Sequence, residues 1–288
     1  MELGIERARK EAEKRVRGEK HQQAAEELSG TKRLPRPAGW WSVLLSAGLA
    51  MAAWEAAARW GGFPAFILPS PARVTQRFIQ ALADGSLLRN AGVTLLEVVL
   101  GLVAGVVTAT LVGYVLGKSH MLERLLSPYL VASQAVPIVA IAPLLVIWFG
   151  PGIFSKILIC ALIVFFPVLV NTVVGVRAVP ENLRDLMRSM RATPLQTLRY
   201  LEIPAALPVF LGGLRIGATL SVIGAVVGEF VGADRGLGFL VSVGRAQYDT
   251  ALVFVAVFAL VGLALTLYGL VLLLEKRLLA WQRRPRPR

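Results

Sequence analysis

Cysteine occurs once in the 288 residues, at Cys160, and histidine twice, at His21 and His120, so neither a disulfide framework nor a metal cluster can be assembled. No His-Glu-x-x-His or Gly-x-Ser-x-Gly pattern is present, which removes the common signatures of a metallohydrolase or a serine nucleophile. Acidic residues are also scarce, 18 against 31 Lys and Arg, leaving a net charge of +13. A phosphate-binding loop is missing as well. Gly117-Lys118-Ser119 ends like one, but the pattern requires a glycine where Val112 stands, and the segment continues an apolar helix. Nothing in the chain points to covalent chemistry, and any energy source must come from another chain.

What is abundant is apolar sequence, 56% of residues with a mean hydropathy of +0.64. Six stretches are long enough to cross a hydrocarbon core of roughly 30 Å: about 41–60, 92–116, 126–149, 155–176, 207–231 and 250–274. These predict an all-α integral membrane protein with six transmembrane helices over residues 40–280. A charged segment precedes them at 1–39, a polar loop interrupts them at 177–205, and a basic tail follows at 281–288.

The basic residues report topology rather than nucleic-acid binding. Of the 31, 10 lie before Trp40, two between the second and third stretches, five in the polar loop and six after Leu274. With six spans those share one side, and only seven, including Lys156 and Arg235, fall on the other. This positive-inside bias places both termini in the cytoplasm, with lipid as the surrounding solvent.

Within the spans, Gly101, Gly105, Ala109, Gly113 and Gly117 recur every fourth residue, as do Gly213, Gly217, Ser221 and Ala225. Such lines let helices approach closely and read as packing seams. Pro137, Pro143 and Pro167 are expected to bend their helices. Gln134, Asn171 and Glu229 are polar at membrane depth and stand as candidates for the solute pathway. Glu229 lies toward the outer end of its span, with water or Arg235 expected within its reach, and Glu97 is a weaker candidate.

In the polar loop, Leu183, Leu186, Met187 and Met190 fall on one helical face. The spacing of Asp185-Leu186-Met187, Arg191, then Leu201, Ile203 and Pro204 resembles the EAA loop, the ATPase-docking signature of ABC-importer permeases. Arg191 stands where that family has its glycine, so the turn between two short helices is expected from Ala192, Thr193 and Pro194 instead. Further stretches are similar to the nitrate, sulfonate and taurine branch: Phe66-Ile67-Leu68-Pro69-Ser70-Pro71, Ala142-Pro143-Leu144-Leu145 and Phe165-Phe166-Pro167. The run from Gly228 to Gly238 looks like permeases for thiamine-pyrimidine precursors or riboflavin.

The resemblance implies a type I ABC-importer permease that binds no cofactor itself. Its partners would be an ATP-binding subunit carrying ATP and Mg2+, an extracytoplasmic solute-binding protein, and a second copy of the chain as a homodimer. Leu183, Asp185, Leu186, Met187, Met190, Arg191, Ala192 and Thr193 would contact the ATPase. The alternative, a self-contained secondary transporter or channel, would require a charged midplane coupling site or a repeated half.

Overall fold

The computed structural model describes residues 40–62, 64 and 66–283; the segment 1–39 and the tail from 284 onward lie outside the described residues. The chain divides into a unit ending at Ala56 and a second beginning at Ala57. Helix α1, Trp40–Trp60, begins in the first. It is 21 residues long and carries Glu55 and Arg59 in its last two turns.

The second unit is helical among its described residues. Ser70 accepts the Arg73 N–H at 3.4 Å and Pro71 occupies the first turn, where its missing donor costs nothing, so α2 runs Pro71–Ala83. Then come α3 Ser86–Lys118, α4 His120–Ala135, α5 Ile138–Phe149 and α6 Ile153–Arg177. The polar loop forms α7 Glu181–Ser189 and the short α8 Pro194–Thr197, followed by a wide π turn over Leu198–Glu202. It leads directly into α9 Ile203–Gly232, after which α10 Leu237–Ala246 and α11 Thr250–Leu278 complete the order.

Four of these are long and apolar enough to cross a membrane: α3, α6, the continuous run Pro194–Gly232, and α11. Helices α4 and α5 together make a fifth, bent by 91°. The count is therefore four or five where the sequence led to six; α1, with its two charges, is not among them. The bend sits at Val136 and Pro137. There Pro137 cannot continue the hydrogen-bond ladder, and its carbonyl accepts from Ala140 N–H at 2.9 Å to start α5. Pro143 and Pro167, by contrast, lie inside helices that run on through them.

The core forms where α6 is held between α3 and α9. The first glycine line faces it closely: a Cβ on Gly105 would come within 2.7 Å of the Ala161 carbonyl, and one on Gly113 within 2.8 Å of Thr172. From the other side, Gly213 meets Asn171 and Gly217 meets Val164 and Val168. Both lines are packing seams within one chain, and both close on the same helix. Cys160 is buried at their meeting point with Val98, Ala218 and Val222. One added methyl here overpacks the seam, a change that typically costs about 1–3 kcal/mol.

Candidate functional site

Polar chemistry gathers at the two ends of this three-helix core. At the end bearing the polar loop, α7 exposes Leu183, Leu186 and Met190, while Met187 is partly buried. Asp185 is exposed and pairs with Arg188 at 3.1 Å. Arg184 ties the helix back to the core by donating to the Val176 carbonyl at 2.8 Å. The result is an apolar stripe on a short, otherwise charged helix, a surface suited to docking in a groove.

The turn after α7 is made by Arg191 itself, which corrects the expectation placed on Ala192, Thr193 and Pro194. Arg191 has φ 53°, in the left-handed region that favours glycine. Ala192 N–H donates to the Met187 carbonyl and Arg191 N–H to that of Arg188, each at 2.9 Å. This is the paired closure that ends a helix at a left-handed residue. Thr193 then starts the next helix. Its hydroxyl accepts the Gln196 N–H at 3.3 Å and its own N–H donates to the Gln196 side chain at 2.8 Å, with Pro194 in the first turn. Because a left-handed non-glycine residue costs about 1–2 kcal/mol, Arg191→Gly is expected to stabilise the turn and Arg191→Val to loosen it. Hydrogen exchange at the Ala192 amide reads both; slower exchange in the valine variant would show that the turn carries no strain.

At the opposite end, three successive backbone N–H groups at the start of α10 are received by side chains from other helices. Asn90 accepts from Gly236 at 2.7 Å, Thr94 from Leu237 at 2.8 Å, and Glu229 from Gly238. The Thr94 hydroxyl donates to the other Glu229 oxygen at 2.6 Å. A helix start that would otherwise leave buried donors unpaired is thereby satisfied. Gly236 makes this seat possible: its φ is +118°, and a Cβ there would overlap the Glu229 carboxylate.

Beside this seat lie two more buried ionisable groups. Lys156 of α6 is 4% exposed, lies 4.0 Å from Glu97 and donates to the Pro151 carbonyl at 3.0 Å. Glu97 and Glu229 are 1% and 2% exposed, and the second Glu97 oxygen has no hydrogen-bond partner among the described residues.

These positions revise several expectations. Glu229 does not reach water or Arg235; Arg235 is exposed and faces its neighbour Asp234 at 3.8 Å. Its carboxylate is filled by Thr94 and Gly238, so it holds structure. Gln134 is exposed near the end of α4. Asn171 is half-buried, donates to the Pro167 carbonyl at 2.8 Å and faces Gly213. No hydrogen bond or ion pair joins any two of Gln134, Asn171 and Glu229 among the described residues. Sequence reasoning missed Asn90, Thr94 and Lys156. The available signal was depth, since Glu97, Lys156 and Glu229 each fall within a few turns of the same end of α3, α6 and α9.

Residues 98–280 match the family described as binding-protein-dependent transport system inner membrane component. The chain is 47% identical over 229 residues to a riboflavin transport system permease protein of Chloroflexus aurantiacus, covering 80% of this chain and 85% of that one. It is 37% identical over 234 residues to a formylaminopyrimidine transport permease protein of Halalkalibacterium halodurans, covering 81% and 93%. A chain in an inward facing structure of the MetNI methionine ABC transporter superposes with a TM-score of 0.60 at 20% identity, covering 68% of this chain and 97% of that one. That likeness speaks for the fold.

Proposed function

The chain belongs to the family of binding-protein-dependent transport system inner membrane components and is a permease component of an ABC transporter, and from that premise we propose that it imports riboflavin or a closely related flat heterocycle. The observation that carries the choice is the 47% identity to the riboflavin permease, against 37% to the formylaminopyrimidine permease. Sulfonate, taurine and nitrate form the second class.

In this reading two copies of the chain form the pathway, each in the bacterial inner membrane with α1 completing six spans and both termini in the cytoplasm. The polar loop then faces the cytoplasm, as its five arginines favour. A separate ATPase subunit binds ATP and Mg2+ and seats the stripe of α7, with Leu183, Asp185, Leu186, Met187 and Met190 at the contact and Arg191, Ala192 and Thr193 shaping the turn. An extracytoplasmic binding protein delivers the solute to the opposite end. Gln134 and Asn171 remain the polar groups available to line the path, because Glu229 is occupied. Motion of the ATPase pair moves the loop and, through it, the core helices.

Riboflavin is fluorescent, so the test is direct. Deleting the gene in its host is expected to lower riboflavin accumulation by about tenfold or more, a change of roughly 1.4 kcal/mol in apparent transport. Unchanged riboflavin accumulation with lost uptake of formylaminopyrimidine or taurine would move the substrate to that class.

A further inference from the structure

We propose that Glu202, Lys118 and Tyr114 form a strut that hands the motion of the polar loop to α3, and that Glu202 is a positioning residue for coupling. The inference rests on the ATP-driven import proposed above. Glu202 closes the π turn between α8 and α9, a wide winding of the kind often found at functional sites. It is 2% exposed, yet both carboxylate oxygens are engaged across the gap to another helix. Tyr114 donates to one at 3.0 Å and Lys118, the last residue of α3, donates to the other. A buried carboxylate is tolerable only when its lone pairs are filled in this way. The Lys118 ammonium also lies 5.6 Å from the Tyr114 ring centre, so the three groups brace one another.

The loop thus grips the core twice. Its entry is held by Arg184 on the Val176 carbonyl eight residues earlier, and by Arg177 on Glu123 of α4 and on the Leu116 carbonyl of α3, the latter at 3.3 Å. Its exit, at Glu202, reaches a helix 84 residues earlier in the chain. Beneath that contact lies a cavity of about 390 Å³, lined by Tyr114 of α3, Thr172 and Val176 of α6, and Ala206 and Phe210 of α9 among others. The ion pair is thus the charged connection between the loop's exit and α3, as the Arg177 contact is at its entry. From Lys118 to Thr94, α3 runs about 36 Å as a continuous helix, and at Asn90 and Thr94 it holds the start of α10. A push on Glu202 therefore arrives at the opposite end through one rigid rod.

The experiment uses the chain assembled with its ATPase and binding protein in liposomes, with Cys160→Ala and a reporter Gln247→Cys at the exposed end of α10. Labelling of that cysteine by an impermeant thiol reagent is compared with and without ATP and vanadate, which needs no knowledge of the solute. E202Q and K118M are each expected to reduce the nucleotide-dependent change in labelling by about fivefold or more, the low end of an ordinary coupling free energy. ATPase co-purification and hydrolysis should stay within about twofold of the unmutated complex on that same scale. Exchanging the charges, E202K with K118E, is expected to restore most of the response. Single variants that respond like the unmutated complex overturn the strut, and so do variants that lose the ATPase subunit together with the response, because the contact would then serve docking. If the unmutated complex itself shows no response to nucleotide, the ATP-driven reading fails and the strut falls with it.

Discussion

Glu229→Leu is expected to unseat α10 and abolish transport. The substitution strips the acceptor from the Gly238 N–H and from the Thr94 hydroxyl. Each buried donor left unsatisfied costs about 1–3 kcal/mol, so the loss of both acceptors is a large share of an ordinary folding free energy of about 5–15 kcal/mol. Glu229→Gln keeps the shape and can still accept from one donor, but its amide nitrogen cannot accept from the other. It is expected to cost less, about 1–3 kcal/mol, the penalty for a single unsatisfied buried group. Hydrogen exchange at the amides of residues 236–240, read with membrane abundance, separates the two variants. Protected amides and normal transport in the leucine variant would show that the seat is dispensable.

Met187→Asp should be as damaging at the other end, and by a different route. The apolar stripe of α7 is exposed at Leu183, Leu186 and Met190 among the described residues, and Met187 lies at its half-buried edge. A carboxylate there would have to be desolvated on docking. Removing an anchor of this kind typically costs 2 kcal/mol or more, which is about thirtyfold in affinity. Asp185→Lys, which reverses the charge facing Arg188, should act in the same direction. Both are expected to abolish transport and release the ATPase subunit on purification while the α10 amides stay protected. Full retention of the subunit by both variants would take α7 out of the contact.

The sequence made these two ends legible to different degrees. The stripe of α7 and its place between apolar runs could be read because helical periodicity is local. Arg191 could be placed by motif spacing, but its left-handed backbone could not, since the residue type argues against the conformation it adopts. Both glycine lines were visible as seams, whereas their common partner was not; pairing of helices distant in sequence leaves no periodic trace. For the same reason Glu229 stood out as a charge in an apolar run while its partners were misassigned. Arg235 is near in sequence, but Thr94 is 135 residues away. The break at Val136 and Pro137 was signalled by the proline, and its 91° extent was not.

The seat at the start of α10 also bears on biosynthesis. As the chain is made from its amino terminus, Glu97 emerges before Lys156, Lys156 before Glu229, and the Gly236–Gly238 donors last. Until residue 238 has been added, Asn90, Thr94 and Glu229 have no backbone to receive. Before then the Asn90 and Thr94 side chains bond to the Ser86 and Asn90 carbonyls of their own helix, and a chain cut short before Gly236 leaves Asn90 Oδ1 and one Glu229 oxygen without their backbone donors. A three-residue stretch late in the chain thus supplies the donors for acceptors made well before it, so products truncated ahead of it differ from longer ones at this buried seat.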